Sequence, residues 1–168
     1  RFTLDAGSYN VGLVQVRQTD GAGNASPVGQ LAQAVLVDQA APAAPGFALV
    51  SDTGASSSDG LTNNGQINVT GLETGASWQY STNSGVSWNS GAGSAFSLGA
   101  GGYSANAVQG RQIDLAGNVG TAVAKNATAI TVDTSAPQPV LSVVSGQDST
   151  LNSTETGIDL EVRYAGMS

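Results

Sequence analysis

The sequence predicts an all-β chain of antiparallel sandwiches repeated in tandem, on three grounds. Val, Ile and Leu recur in short runs bounded by Gly, Asn and Ser, which is the punctuation of strands and turns. Nowhere does residue range 39–133 carry a 3.6-residue apolar period, and its Gly, Asn and β-branched residues disfavour helix. The third ground is that the sequence repeats itself.

Phe2-Thr3-Leu4-Asp5-Ala6-Gly7-Ser8-Tyr9 matches Phe96-Ser97-Leu98-Gly99-Ala100-Gly101-Gly102-Tyr103. Arg17-Gln18-Thr19-Asp20-Gly21-Ala22-Gly23-Asn24 matches Arg111-Gln112-Ile113-Asp114-Leu115-Ala116-Gly117-Asn118 at the same offset, 96 − 2 = 111 − 17 = 94. Val37-Asp38 with Ala41-Pro42 returns one residue further on as Val132-Asp133 with Ala136-Pro137. A period this long exceeds a solenoid unit and fits an array of whole domains. The register predicts the C-terminal part of one repeat at 1–38, a complete repeat at 39–133, and the N-terminal part of a third at 134–168.

Seven short alternating segments are predicted as strands of the complete repeat: Phe47–Val50, Gln66–Leu72, Ser77–Ser81, Val86–Trp88, Ala95–Leu98, Tyr103–Ile113 and Ala127–Val132. Two details point to an immunoglobulin-like topology. Leu98-x-x-Gly101-x-Tyr103 has the form of a tyrosine corner, whose hydroxyl ties back to the backbone at the start of the sixth strand. Trp78 then falls where the core tryptophan of the third strand belongs, with Tyr80 on the same face and Ala105 at the second disulfide position of antibody domains. Both aromatics are expected to serve core packing.

Composition narrows function. The chain has 168 residues, 23 of them Gly, and acids outnumber bases 12 to 5 for a net charge of −7. That balance repels nucleic acid and anionic membrane surfaces, so neither is expected as a partner. No apolar run reaches the roughly 20 residues of a bilayer span, so membrane insertion is not expected. With no His and no Cys, the usual general base, thiol nucleophile and soft-metal ligands are missing. Nor is there a Gly-x-Ser-x-Gly elbow, phosphate loop or dinucleotide fingerprint, and the reading is not an enzyme.

The carboxylates suggest calcium. Any one Asp at a turn is explained by its own backbone hydrogen bonding. Sandwich topology, however, places the first interstrand loop (51–65, with Asp52 and Asp59) at one pole. The Asp114–Asn118 turn and the linker acid Asp38 belong to the other pole. Domains stacked end to end would bring a loop, a linker acid and the next turn around one junction, supplying oxygen ligands for Ca²⁺. The expected ligands are Asp20, Asn24, Asp38, Asp52, Asp59, Asp114, Asn118 and Asp133. Glu73 is expected near the first junction, in a solvated state.

These motifs resemble the bacterial immunoglobulin-like tandem repeats of RTX-type, type I-secreted giant surface adhesins. The resemblance rests on Thr19–Asn24 and Ile113–Asn118, on the Val-Asp…Ala-Pro linkers, and on Asp52-Thr53-Gly54…Ser58-Asp59-Gly60…Thr62-Asn63. It is weakest in 134–168, where Ser145-Gly146-Gln147-Asp148 replaces the Asp-Thr-Gly form. It implies an extracellular, cell-surface chain whose calcium-stiffened repeats project a distal binding region for cell adhesion and biofilm attachment. The implied partners are neighbouring repeats of the same chain, with self-association through the incomplete end repeats as a further partner mode. Two alternatives stand beside it: a glycan- or peptide-binding adhesin module, and a subunit of a strand-complemented extracellular filament. A second, shorter likeness is Ser81-x-Asn83-x-Gly85-x-x-Trp88, which looks like an Asp-box hairpin with Asn for Asp.

Overall fold

The computed structural model describes residues 1–144 and 159–165, so Ser145–Asp148 lies outside the described residues. The described chain is all-β, without a helix. Four strands come first: β1 (Gly7–Tyr9), β2 (Gln15–Val16), β3 (Gly29–Gln30) and β4 (Val35–Val37). Ten follow in the middle of the chain: β5 (Gly46–Leu49), β6 (Leu61–Thr62), β7 (Gln66–Thr70), β8 (Ser77–Ser81), β9 (Asn89–Ser90), β10 (Ala95–Ser97), β11 (Gly101–Tyr103), β12 (Gln109–Ile113), β13 (Ala124–Lys125) and β14 (Ile130–Val132). The last two are β15 (Gln138–Val143) and β16 (Leu160–Ala165). Two compact units result, the first being Arg1–Asp133 and the second beginning at Thr134.

In the first unit, β10-β7-β5 and β13-β12-β8-β9 form antiparallel sheets, and β11-β14-β6 adds one parallel pair, β6 with β14. This arrangement of several sheets is consistent with a β-sandwich. Its core is Ile67, Val69, Trp78, Phe96, Leu98, Val108, Ile130 and Val132, with Phe47, Leu49, Leu72, Tyr80 and Tyr103 packed against it. Alternation creates that core: in β7, Ile67 and Val69 point inward while Gln66, Asn68 and Thr70 face solvent. Phe96 stacks on Tyr80 at 4.3 Å and meets Phe47 and Trp78 at 5.4 and 5.9 Å. The indole N–H of Trp78 donates to the Gly93 carbonyl at 2.9 Å, so its burial leaves no orphan donor. Two glycines exist for close approach: a Cβ on Gly91 would strike the Trp78 indole, and one on Gly110 would strike the Phe47 ring.

The expected strand boundaries need correction in three places. The segment Val86–Trp88 is a turn, and β9 begins only at Asn89. The run Tyr103–Ile113 breaks after Tyr103, because Asn106 takes a left-handed φ of 65° that no strand accommodates. Ala105 therefore lies exposed in that turn and not at a core position. Ala127–Val132 reduces to β14, since the Asn126 amide donates to the Ser104 and Thr128 carbonyls in the turn where the chain leaves β13, paired with β12, for β14, paired with β11.

In the second unit, β15 and β16 pair antiparallel from Gln138↔Ala165 to Val143↔Leu160.

Candidate functional site

One pole of the sandwich gathers the incoming linker, the loop after β7 and the turn after β12. That turn is built by its own sequence. Asp114 Oδ1 accepts the Asn118 backbone N–H at 2.8 Å, Oδ2 accepts the Asn118 amide at 2.8 Å, and Gly117 supplies a φ of 93°. The hydrogen bond from the Asn118 side chain, foremost, holds the Asp114 carboxyl below its ordinary value of 3.8. The Asn118 amide then spends its second hydrogen on the Asp38 carbonyl, at 3.1 Å across 80 residues of chain. Asp38 turns its own Oδ1 onto the Ala40 N–H at 3.0 Å.

Behind this turn sits a residue the sequence reading passed over. Gln112 is wholly buried, 0% exposed, and its side-chain amide joins three chain segments. Nε2 donates to the Ala43 and Gly71 carbonyls, both at 3.0 Å, and Oε1 accepts the Glu73 N–H at 2.7 Å. Glu73 in turn accepts the Ala43 N–H at 3.2 Å, so this exposed acid serves the linker backbone. Pro42 and Pro45 are buried beside them. The signal that could have found Gln112 was on the page of the repeat: Arg-Gln recurs at 17–18 and 111–112.

Asp20 and Asn24 form the same turn 94 residues earlier. Asp20 Oδ1 accepts the Ala22 and Asn24 N–H groups at 2.9 and 2.8 Å, and Oδ2 accepts the Asn24 amide at 2.9 Å. The Asn24 side chain is again the foremost cause of a lowered Asp20 pKa. In both copies the carboxylate oxygens point into the turn and are taken by its N–H donors.

The opposite pole is built by the loop between β5 and β7. Thr62, 2% exposed, anchors it: its hydroxyl donates to the Ser51 carbonyl at 2.8 Å and accepts the Asn64 N–H at 3.0 Å. Asp52 Oδ2 accepts the Gly60 N–H at 2.9 Å, and Asp59 Oδ1 accepts the Leu61 N–H at 3.0 Å. Asp52 Oδ1 is buried with no hydrogen-bond partner. Asp52 borders a cavity of about 410 Å³ floored by Phe47, Leu49, Ile67 and Ile130. Asp133 borders another, of about 200 Å³, with Thr53, Thr62 and Asn63.

The structure thus brings Asp38 to Asn118, and Asp52 to the Asp59–Gly60 turn, while Asp52 and Asp133 open on different cavities. Among the described residues, no three carboxylates gather within reach of one ion. The fit to calcium differs between the poles. At the Asp114 pole each carboxylate oxygen already accepts an N–H of Asn118 within the turn, so a cation there would share those oxygens with the turn's own donors. At the Asp52–Asp133 pole the donors are all oxygen, and one carboxylate oxygen is unpartnered, which suits a hard cation.

The Asp-box-like hairpin also has defined geometry. Ser81 Oγ donates to Asn83 Oδ1 at 2.8 Å and accepts the Gly85 N–H at 2.9 Å, while Asn83 Oδ1 accepts the Ser87 N–H at 2.9 Å. Trp88 lies under the Arg111 guanidinium, 4.1 Å from its ring centre, and so caps the outer face of the sheet. Comparison with protein-family models and with curated proteins yields no match.

Proposed function

We propose that this chain is a spacer: tandem immunoglobulin-like sandwiches from the stalk of a bacterial surface adhesin, stiffened in extracellular calcium. The observation that carries the reading is the recurrence of both sequence and local geometry, at an offset of 94 residues that becomes 95 for the later strands. The tyrosine corner is closed twice, by Tyr9 Oη on the Asp5 carbonyl at 3.0 Å and by Tyr103 Oη on the Gly99 carbonyl at 3.1 Å. The strand pairing Gly7↔Val37 to Tyr9↔Val35 is repeated as Gly101↔Val132 to Tyr103↔Ile130. The pairings Gln15↔Gln30 and Gln109↔Lys125 correspond in the same way. A unit repeated with its joints intact suits a spacer better than a singular ligand-binding tip.

On this reading, calcium belongs to the Asp52–Asp133 pole. Asp52 and Asp59 would supply carboxylate to one ion, and Asp133, on a separate cavity with Thr53 and Asn63 as neutral oxygen donors, to a second. Bound there, the ions would neutralise like charges and fasten the long loop to the chain leaving β14. Calorimetric titration with calcium, paired with thermal unfolding, tests this. Saturable binding that raises the melting midpoint, and that Asp52→Asn and Asp133→Ala each weaken at least tenfold, is the expected result. Absence of binding at millimolar calcium would remove the metal from the account.

A further inference from the structure

We infer that the pole around Gln112 is a docking site for the incoming linker, a side-chain clamp that fixes residues 38–45 without any metal. The inference rests on the spacer reading and adds a second, independent means of stiffening. Four contacts converge on the linker from two segments, β12 with the turn that follows it and the loop after β7. Asn118 holds the Asp38 carbonyl, Gln112 holds the Ala43 carbonyl, Glu73 holds the Ala43 N–H, and Gly120 lies close under Pro42. A Cβ at Gly120 would stand only 3.0 Å from the Pro42 carbonyl oxygen, so a side chain there would press the linker outward by a few tenths of an ångström.

The chemistry selects its occupant. Both amide donors meet backbone carbonyls, so the clamp reads an extended backbone and not a side chain. Its linker, Asp38-Gln39-Ala40-Ala41-Pro42-Ala43-Ala44-Pro45, is small-residue and proline-rich, and two of its prolines are buried. Proline fixes φ near that of an extended chain, so little conformational freedom remains to be lost on docking. The Gln112 amide has both hydrogens and one oxygen lone pair engaged, at zero exposure. Burying an amide so completely is tolerable only while those partners stay in place, which makes the linker position all-or-none. Asn118 couples the clamp to the turn, because the same side chain closes the Asp114 loop and reaches Asp38.

Spin-label distance measurement separates the clamp from calcium. The chain has no Cys, so Gln33→Cys and Ser97→Cys, both at exposed positions, give one labelled pair across the linker. The clamp predicts a narrow distance distribution in excess chelator, unchanged by millimolar calcium. Glu73→Ala and Asn118→Ala, with the melting midpoint of the sandwich checked alongside, should each broaden it, and Gln112→Ala should broaden it most. Should Gln112→Ala unfold the sandwich, the Glu73 and Asn118 variants still decide. A distribution that is broad in chelator and narrows only with calcium overturns the clamp and leaves calcium stiffening standing. Variants as narrow as the parent overturn it too. Loss of calcium binding at the Asp52–Asp133 pole would sink the metal alone and leave the clamp intact.

Discussion

Residues 1–38 and 95–133 carry nearly the same local structure and very different burial. The turns agree in detail. Gly12 and Asn106 both adopt left-handed backbone, at φ 77° and 65°, and donate their N–H groups to the Leu31 and Asn126 carbonyls at 2.9 Å. The side chains of Gln15 and Gln109 reach back to the Gly12 and Asn106 carbonyls at 3.0 and 2.9 Å. The apolar positions do not agree. Phe96 is 8% exposed and Phe2 is 62% exposed, although the residues around them match. Val108, at 1%, answers to a half-buried Val14. Turns here are written in local sequence, whereas burial is a property of the strands facing them. Phe96 has Phe47, Trp78 and Tyr80 against it.

The sharpest way to break that comparison is paired truncation. Phe96→Ala should cost about 3–5 kcal/mol in chemical denaturation, while Phe2→Ala should stay within about 0.5 kcal/mol. Comparable losses would mean that the first segment has a core of its own. A second pair exchanges an inward position where the copies differ sharply in size. Val16, 54% exposed, stands where β12 carries Gly110, whose Cβ would invade the Phe47 ring. Gly110→Val should therefore destabilise by about 1–3 kcal/mol or more through overpacking, and Val16→Gly should be felt far less.

Gln112→Ala orphans the Ala43 and Gly71 carbonyls and the Glu73 N–H, which predicts a loss of about 1–3 kcal/mol. Gln18→Ala, at an exposed position, should be nearly silent. Where local geometry is shared, the bond lost is the same and its weight depends on the packing around it. Tyr9→Phe and Tyr103→Phe each lose one hydroxyl-to-carbonyl bond, and only Tyr103→Phe should register in global stability, by about 0.5–1.5 kcal/mol.

The smallest effect is the most symmetrical. Asn24→Ala and Asn118→Ala should each raise the carboxyl pKa of the facing Asp toward 3.8, read by NMR titration of the two side chains. The sign follows from linkage. A pKa lowered by folding stabilises the turn above the ordinary value of 3.8, and that contribution disappears as pH falls through the lowered value. Acid should therefore loosen both turns together, in the range below pH 3.8.

The all-β character, the core tryptophan and the Tyr103 corner were legible in the sequence, because alternation and a short hydrogen-bonded loop are local signals; the Tyr9 corner was found only in the structure. The breaks at Asn106 and Asn126 were not, since an Asn in left-handed backbone or bonding across a ladder reads as an ordinary strand-edge residue. Of the eight expected metal ligands, every Asp taken singly was read as a turn former, and Asp20 with Asn24 and Asp114 with Asn118 are the pairs whose side chains bond each other within a turn. Gln112 was hidden for a different reason. A buried amide is defined by partners 39 to 69 residues away in the chain, and the recurring Arg-Gln pair marks its position without revealing what it bonds.

Small-angle scattering of the whole chain, in chelator and in millimolar calcium, tests the stiffened-spacer account most directly. The account predicts that calcium shifts the profile to a larger, better-defined maximum dimension, and that Asp133→Ala abolishes the shift while leaving the sandwich folded. Superimposable profiles in the two conditions would contradict it.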